Sequence, residues 1–306
     1  MHLERRAWPP DKAARALRVS SSFLGVTSPW LLLAPSLLTL SAFFVLPMFW
    51  LVRLSLFERV ESGGFYVADS FTLGNYAVIL TDPYFQNVAG ATLRLGGLVT
   101  LAAMLLAYPL AVYLYQAGPA LKTGVLLAVL LPKFTNLLVA MYGVLALLSN
   151  SGPLNRFLLW IGLIQQPLPM FANLFAVVVG ETLIIAPYPV LILASALHGV
   201  DRQLEEAARG LGASAWRTFY EVPFKLTLPS TLLAALVTLI WALGAFTAPV
   251  VLGNPELYPV GVEVYTTTFE DVNWPLGAAL ATANLLAVLA LALGALSLHR
   301  AMERLR

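Results

Sequence analysis

The stretch "LEEAARGLGASAW", residues 204–216, is charged and punctuated by glycine, although it lies between two long apolar segments. Asp201 precedes it and is predicted to cap the N-terminus of a helix. The apolar residues of this helix recur at spacings of three and four, which places them on one face: Leu204, Ala207, Ala208 and Leu211. An amphipathic helix at this place needs a functional explanation.

The second half of the loop predicts another short helix. Gly210 and Gly212 are suited to end the first helix in a left-handed conformation. Ser214 is the predicted cap of the second helix, and Pro223 is expected to stop it. This helix brings three aromatic residues close to water: Trp216, Phe219 and Tyr220. Aromatic side chains beside small residues favour docking into a partner protein over a plain solvated linker.

The composition is that of an integral membrane protein. Of 306 residues, 59% are hydrophobic and 11% are charged, whereas a soluble domain carries roughly 25% charged residues. So few charges do not cover a globule in water. The chain has no cysteine, which excludes disulfides, thiolate nucleophiles and cysteine-based metal sites.

Six apolar segments are long enough to cross a bilayer, because a spanning helix needs about 20 residues. They cover about 29–57, 88–116, 121–149, 171–197, 226–252 and 276–298. We therefore expect an all-α membrane protein with six transmembrane helices. The apolar run Leu154–Ile164 is too short to cross and is predicted to form an interfacial helix.

The positions of lysine and arginine predict the orientation. Thirteen of these residues fall in the segments of one side: Arg5, Arg6, Lys12, Arg15, Arg18, Lys122, Arg202, Arg209, Arg217, Lys225, Arg300, Arg304 and Arg306. The loops of the opposite side hold Arg59 and Arg156. Both terminal tails, 1–28 and 299–306, and the 198–225 loop are therefore predicted to face the cytoplasm.

The opposite loops, including the outer loop 58–87, are acidic. They hold Glu58, Glu61, Asp69, Asp82, Glu256, Glu263, Glu270 and Asp271. Such loops would attract a basic partner surface or raise the local concentration of cations. An ordinary solvated surface, from which the insertion rule excludes positive charge, is the alternative interpretation.

The loop resembles the EAA loop of permease subunits of binding-protein-dependent ABC importers. In "EEAARGLGASAWRTFYEVPFKLTLP", residues 205–229, the matching positions are Glu206, Ala207, Ala208, Gly212 and Val222. Lys225 departs from the pattern, since it stands where the family usually has its first proline. The resemblance implies a MetI-like type I importer permease with a cytoplasmic EAA coupling helix.

Segments outside the loop carry the same resemblance. They are "FTLGNYAVILTDPYFQNVAGATLRLG" (71–96), "SGPLNRFLLWIGL" (151–163) and the region 244–281. The resemblance therefore covers nearly the whole chain after residue 28. It implies that residues 88–298 form the permease core. Region 244–281 is more similar to the spermidine/putrescine branch than to the sugar branch. A polyamine is therefore the expected solute, and a sugar, iron or thiamine remains the alternative.

The resemblance also implies the partners. In the family the loop docks on a cytoplasmic ABC ATPase, so we expect Glu205, Glu206, Ala207, Ala208, Gly212 and Trp216 to form the ATPase-coupling site. No G-x-x-x-x-G-K-[ST] motif occurs in the chain, so ATP and magnesium are expected on the ATPase and no cofactor in this chain. A second, non-identical permease, an extracytoplasmic solute-binding protein and the lipid of the bacterial inner membrane complete the expected partners, with no nucleic acid.

Two ionisable residues are predicted close to the bilayer midplane. Lys133 and Glu181 each lie about ten residues or more inside an apolar segment. A charge at this depth costs about 2.5–3.5 kcal/mol, so both should face the protein interior. They form either a structural ion pair or, together with Tyr142 and Trp241, part of the path of a cationic solute.

Two other classes of function compete with the permease. A membrane-embedded enzyme is disfavoured because the three histidines lie at or beyond the predicted cytoplasmic ends of the spans and no H-E-x-x-H or G-x-S-x-G motif occurs. A secondary transporter is disfavoured because six spans are few and no inverted repeat is evident. We therefore expect a non-catalytic transport subunit.

Overall fold

The computed structural model describes residues 29–60 and 64–304, with side chains over 33–60 and 64–297. The predicted tail 1–28, residues 61–63 of the outer loop and the last two residues lie outside the described part. The described residues form helices and loops without a strand, which agrees with the predicted all-α class. The chain divides into two compact units, 1–53 and 54–306.

The described part of the first unit belongs to one helical run. Helix α1 covers Pro29–Leu40, a π-helical turn covers Ser41–Val45, and α2 covers Leu46–Leu54. Pro35 lies inside α1, and the hydroxyl of Thr39 donates to the Pro35 carbonyl at 2.9 Å. This bond is local to the helix, so it needs no partner from another element.

The second unit starts with a short helix and the longest one. Helix α3 covers Gly74–Thr81, and α4 covers the 34 residues Pro83–Gln116. Asp82 caps α4 by accepting a bond from the Tyr84 amide at 2.8 Å, and Pro83 takes the first helical position, where its missing N–H is harmless. At 1.5 Å per residue α4 is about 50 Å long.

The next apolar segment is broken, whereas the sequence predicted one helix over 121–149. Helix α5 covers Pro119–Leu130, a 3-10 turn covers Leu131–Phe134, and α6 covers Leu137–Leu148. The side chain of Asn136 accepts a bond from the Leu138 amide at 3.0 Å. This N-cap starts α6 afresh and explains the break.

A short helix and a bent pair follow. Helix α7 covers Pro153–Trp160, within the region where an interfacial helix was expected. Helices α8, Leu174–Ile185, and α9, Pro187–His198, are bent by 48° relative to each other. The prolines of "APYPV" (186–190) explain the bend, because proline removes a backbone donor and crowds the preceding turn.

The charged loop folds into the two predicted helices, but the second does not stop at Pro223. Helix α10 covers Arg202–Gly210, α11 covers Ala215–Phe219, a π turn covers Tyr220–Phe224, and α12 covers Lys225–Leu243. The last three form one continuous helix, Ala215–Leu243. The π turn absorbs Pro223, since its wider spacing relieves the clash that ends an α-helix.

The fifth predicted span, 226–252, ends early at Gly244. Beyond it lie α13, Thr247–Leu252, a 3-10 turn, Pro255–Leu257, α14, Val260–Tyr265, and a π turn, Thr266–Glu270. The last helix, α15, covers Trp274–Arg304. The predicted C-terminal tail is therefore helical up to Arg304.

Helix α4 is the centre of the second unit, where it packs against α8, α9 and α12. Two apolar clusters fill these contacts. One contains Leu95, Val99, Met141, Ile185 and Leu252 among its buried members. The other contains Ala107, Leu114, Val190, Leu193 and Leu197.

Five helical stretches are long and apolar enough to cross a membrane, and the bent pair α8–α9 makes a sixth if it counts as one span. The five are Leu33–Leu54, Pro83–Gln116, Leu137–Trp160, Ala215–Leu243 and Trp274–Ser297. This number agrees with the expectation of six, although the third and fifth stretches differ from the predicted limits.

A tight turn between α6 and α7 yields a prediction on stability. A methyl group on Gly152 would lie 2.5 Å from the carbonyl oxygens of Ala146 and Leu147. Backbone oxygens do not move aside easily, so Gly152→Ala should destabilise the protein by about 1–3 kcal/mol. Thermal unfolding of the purified complex, followed by size-exclusion chromatography, measures the effect.

The matched control is Gly143→Ala on α6, where an added methyl group meets no atom within 4 Å. This variant should unfold at the wild-type temperature or slightly above it, because alanine favours the helix more than glycine does. Equal melting temperatures for Gly152→Ala and Gly143→Ala would contradict the described turn.

Candidate functional site

The charged loop is held in a defined shape by side-chain caps. Asp201 accepts a bond from the Gln203 amide at 2.9 Å and starts α10. Gly212 ends the turn after α10 with φ of +85°, a conformation that favours glycine. Ser214 accepts a bond from the Arg217 amide at 3.4 Å and starts α11. These three expectations from the sequence are confirmed.

The apolar face of the loop is uncovered in the single chain. Leu211 is 90% exposed and Trp216 75% exposed, and Leu204 is also exposed. Glu206 and Ala207 are exposed as well. We call these five residues the knob. A hydrophobic side chain as exposed as Leu211 or Trp216, at the tip of a capped loop, is typical of a docking surface.

Glu205, another predicted coupling residue, ties the loop to the end of α4. The carboxylate of Glu205 accepts a bond from the Tyr115 hydroxyl at 2.7 Å. The Arg202 guanidinium lies 5.4 Å from the centre of the Tyr115 ring, and it donates to the Tyr115 carbonyl at 3.4 Å. Two side chains of α10, Glu205 and Arg202, thus contact Tyr115, and no motif in the sequence indicated this role.

An aromatic chain forms a second link to α4. The rings of Trp216 and Phe219 are 5.9 Å apart, and Phe219 meets the Tyr108 ring of α4 at 6.2 Å, edge to face. Tyr108 also contacts Phe224 at 5.8 Å. These centroid distances are typical of favourable aromatic pairs, so the rings link the knob to α4.

Lys225, the departure from the family pattern, continues the helix. It begins α12, and its ammonium pairs with the carboxylate of Glu221 one turn earlier. A proline at 225 would remove a backbone donor, whereas lysine supplies one. The loop and the apolar helix α12 are therefore joined without an interruption.

Deep in the apolar region, Lys133 and Glu181 belong to one cluster with two aromatic residues. The Lys133 ammonium lies 4.2 Å from the ring centre of Tyr188 and 4.7 Å from that of Trp241. Glu181 is 4% exposed, and Trp241 and Lys133 lie close enough to interact electrostatically with its carboxylate. In the described part of the chain no ion pair within 4 Å joins Lys133 to Glu181.

The structure brings three of the four predicted path residues together and leaves one apart. Glu181, Lys133 and Trp241 share the cluster, whereas Tyr142 is exposed on α6 and is not part of it. Tyr188 is the member of the cluster that the sequence did not single out. Its partners Lys133 and Trp241 are more than 50 residues away in the sequence, so no local pattern indicated the contact.

The acidic outer residues are not all a solvated surface. Glu263 is buried, and its carboxylate accepts bonds from the Tyr84 hydroxyl at 2.8 Å and from the Thr267 hydroxyl at 3.2 Å. It connects α14 to the start of α4. Glu263 therefore supports the packing of the outer segment and is not available to a partner.

The family of the chain follows from comparison with known proteins. Residues 124–305 match the family described as "Binding-protein-dependent transport system inner membrane component". The chain is 32% identical over 237 residues to the spermidine/putrescine transport system permease protein PotB of Salmonella typhimurium (strain SL1344), an alignment that covers 78% of this chain and 82% of the relative.

Solved structures agree on the fold. The chain superposes with a TM-score of 0.74 on a chain of a bacterial ABC transporter involved in the import of the acidic polysaccharide alginate, at 18% identity and over 95% of this chain and 99% of the other. A structure of the bacterial alginate ABC transporter in complex with an alginate pentasaccharide-bound periplasmic protein gives a TM-score of 0.72 at 18% identity, over 97% and 98% of the two chains.

The family match covers more than half of the chain, and the identity to the relative extends over most of both proteins. The apolar helices agree with a multi-pass protein of the inner membrane. The chain therefore belongs to the inner-membrane components of binding-protein-dependent transport systems, and it is a non-catalytic permease subunit of an ABC importer.

Proposed function

We propose that this permease subunit conducts polyamines such as spermidine or putrescine across the inner membrane. The observation that carries the proposal is the 32% identity, over 78% of the chain, to a spermidine/putrescine permease. A buried carboxylate beside two aromatic rings in the apolar core supports it, because carboxylates and aromatic faces both attract organic ammonium groups.

The proposed path of the solute passes the cluster of Glu181, Lys133 and Trp241, with Tyr142 exposed on α6 beyond it. Tyr188 and Trp241 are 41% and 42% exposed in the single chain, so part of each side chain is accessible from outside the subunit. A second permease, which we propose is a non-identical sister of this chain, would complete the path on that side.

We place the ATPase at the knob. Leu211 and Trp216 offer an apolar anchor and Glu206 a negative charge for a basic group of the ATPase. A cleft of about 330 Å³, lined by Tyr115, Arg202, Glu205 and Glu206 among others, lies beside it. ATP and magnesium would be bound by the ATPase, because this chain lacks a Walker motif.

The proposed orientation of the chain in the membrane follows from the distribution of positive charge. With the thirteen lysine and arginine residues on one side, both termini and the knob face the cytoplasm. The outer loop 58–87 and the segment 245–273 face the extracytoplasmic side, where a solute-binding protein would deliver the solute. The core would then cross the bilayer with limits close to the predicted spans, except at the breaks described above.

Uptake by living cells tests the solute. A bacterial strain that lacks its own polyamine importers, supplied with this permease and its genetic neighbours, should accumulate labelled putrescine or spermidine at least about tenfold above the strain without the permease. Accumulation should require the ATPase. Uptake of ferric ion, thiamine or a sugar with no polyamine uptake would contradict the proposed solute while leaving the permease assignment intact.

Trp216→Ala tests the docking surface. An exposed tryptophan at the centre of an interface is commonly worth about 2 kcal/mol or more, so this variant should retain the ATPase at least about tenfold less tightly. Affinity purification of the tagged permease, followed by quantification of the co-purified ATPase, gives the measurement.

Trp160→Ala is the matched control, because Trp160 is 81% exposed but lies on α7, on the opposite predicted side. It should retain the ATPase as well as the wild type does. Equal retention by both variants would remove Trp216 from the interface.

A further inference from the structure

Lys133 occupies a site with the chemistry of an ammonium receptor. The rings of Tyr188 and Trp241 are 6.1 Å apart and inclined by 38°, so they form two adjacent walls. The ammonium lies over both rings, at 4.2 and 4.7 Å from their centres. The Glu181 carboxylate lies buried nearby. Aromatic faces and a carboxylate together are how proteins recognise organic ammonium ions.

The Lys133 side chain, which occupies this site, resembles one end of a diamine. A lysine side chain is a four-carbon methylene chain that ends in a primary ammonium. Putrescine is a four-carbon chain with a primary ammonium at each end, and spermidine presents the same terminus. The two aromatic walls that hold the Lys133 ammonium, with the Glu181 carboxylate nearby, therefore suit the end of such a solute.

The site and its occupant belong to different elements. Glu181 lies on α8, Tyr188 on α9 and Trp241 on α12, whereas Lys133 lies on the 3-10 turn between α5 and α6. Two of these elements, α8 and α9, meet at the 48° bend. A small shift of the turn relative to the bend would withdraw the ammonium and leave the walls in place.

The negative charge of the cluster is enough to balance one cation. Glu181 supplies one negative charge, and among the described residues that form the cluster the other charged group is Lys133. Two ammonium groups within a few ångströms of each other repel in a medium of low dielectric. A solute ammonium therefore enters only when Lys133 leaves.

We propose that Tyr188, Trp241 and Glu181 bind an ammonium group of the transported solute, and that Lys133 is a tethered occupant which fills this site until the solute displaces it. The inference rests on the proposed polyamine function and deepens it. In the permease without solute, the Lys133 ammonium would balance the charge of the buried Glu181 carboxylate and fill the space at the two rings. It also makes displacement of Lys133 a condition of passage.

Amine labelling of the wild-type complex tests the displacement directly. The chain has four lysines, at 12, 122, 133 and 225. The complex in lipid nanodiscs is treated briefly with the N-hydroxysuccinimide ester of acetic acid, with and without saturating putrescine, and acetylation is quantified by mass spectrometry. The ratio of Lys133 to Lys225 corrects for reagent consumed by putrescine itself.

Putrescine should raise this ratio at least about threefold, because displaced Lys133 becomes accessible. An unchanged or lower ratio at a putrescine concentration that saturates binding overturns the proposal. The ratio of Lys122 to Lys225 should not change in either case.

A charge-removing variant supplies the second readout. Lys133→Met keeps the length of the stem without the ammonium, so the complex should bind putrescine at least about tenfold more tightly in the absence of the solute-binding protein. A tenfold gain corresponds to a site that Lys133 fills about nine-tenths of the time. Lys133→Arg, which retains a cation for the two rings, should stay within about threefold of the wild type.

The outcomes separate this inference from the function on which it rests. If the wild type takes up polyamines but Lys133→Met binds putrescine no more tightly, Lys133 is only a structural charge partner and the inference fails alone. If the wild type neither binds nor takes up polyamines, both fail. Should Lys133→Met not assemble, the labelling ratio of the wild type decides.

Discussion

A backbone group left without a hydrogen bond inside a bilayer costs several kcal/mol, and this constraint governs where the helices of the permease are allowed to break. The chain breaks near residues 135, 186 and 244 within its apolar segments. Asn136 caps the first break, and the amide of Asn284 donates to the Leu243 carbonyl at 3.4 Å beside the third. At the second, the prolines at 187 and 189 remove donors that would otherwise be unpaired.

The cluster residues stand next to these breaks. Lys133 lies two residues before the first, Tyr188 two residues after the second and Trp241 three residues before the third. Irregular backbone within a membrane protein is tolerated where it lines a cavity or is enclosed by protein. The convergence of three breaks on one carboxylate, Glu181, therefore supports the proposed solute site at this place.

The knob and the cluster are mechanically connected through two elements. Helix Ala215–Leu243 runs from the knob to Trp241 without a stop, and the contacts of Tyr115 and Tyr108 bind the knob to α4. Because α4 packs against α8 and α9, we expect a displacement at the knob to act on both sides of the cluster. This arrangement suits a subunit that receives its energy from another protein.

Local signals in the sequence predicted much of this. The caps at Asp201 and Ser214 and the left-handed Gly212 depend on neighbouring residues and were predicted correctly. The break at Asn136 and the passage of the helix through Pro223 were not, because a cap inside an apolar run and a π turn leave no clear pattern. Tyr115 and Tyr188 were missed because their partners are distant in sequence, and only the packing of helices brings them together.

We propose that the break bearing Lys133 and the bend bearing Tyr188 move relative to each other when the ATPase binds ATP, because the knob is linked to both sides of the cluster. The chain contains no cysteine, so spin labels at Thr135→Cys and Leu191→Cys report the distance between the two elements by electron–electron double resonance. The account predicts distinct distance distributions in the nucleotide-free and ATP-trapped complexes, separated by several ångströms. One unchanged distribution in a complex that still transports would contradict it.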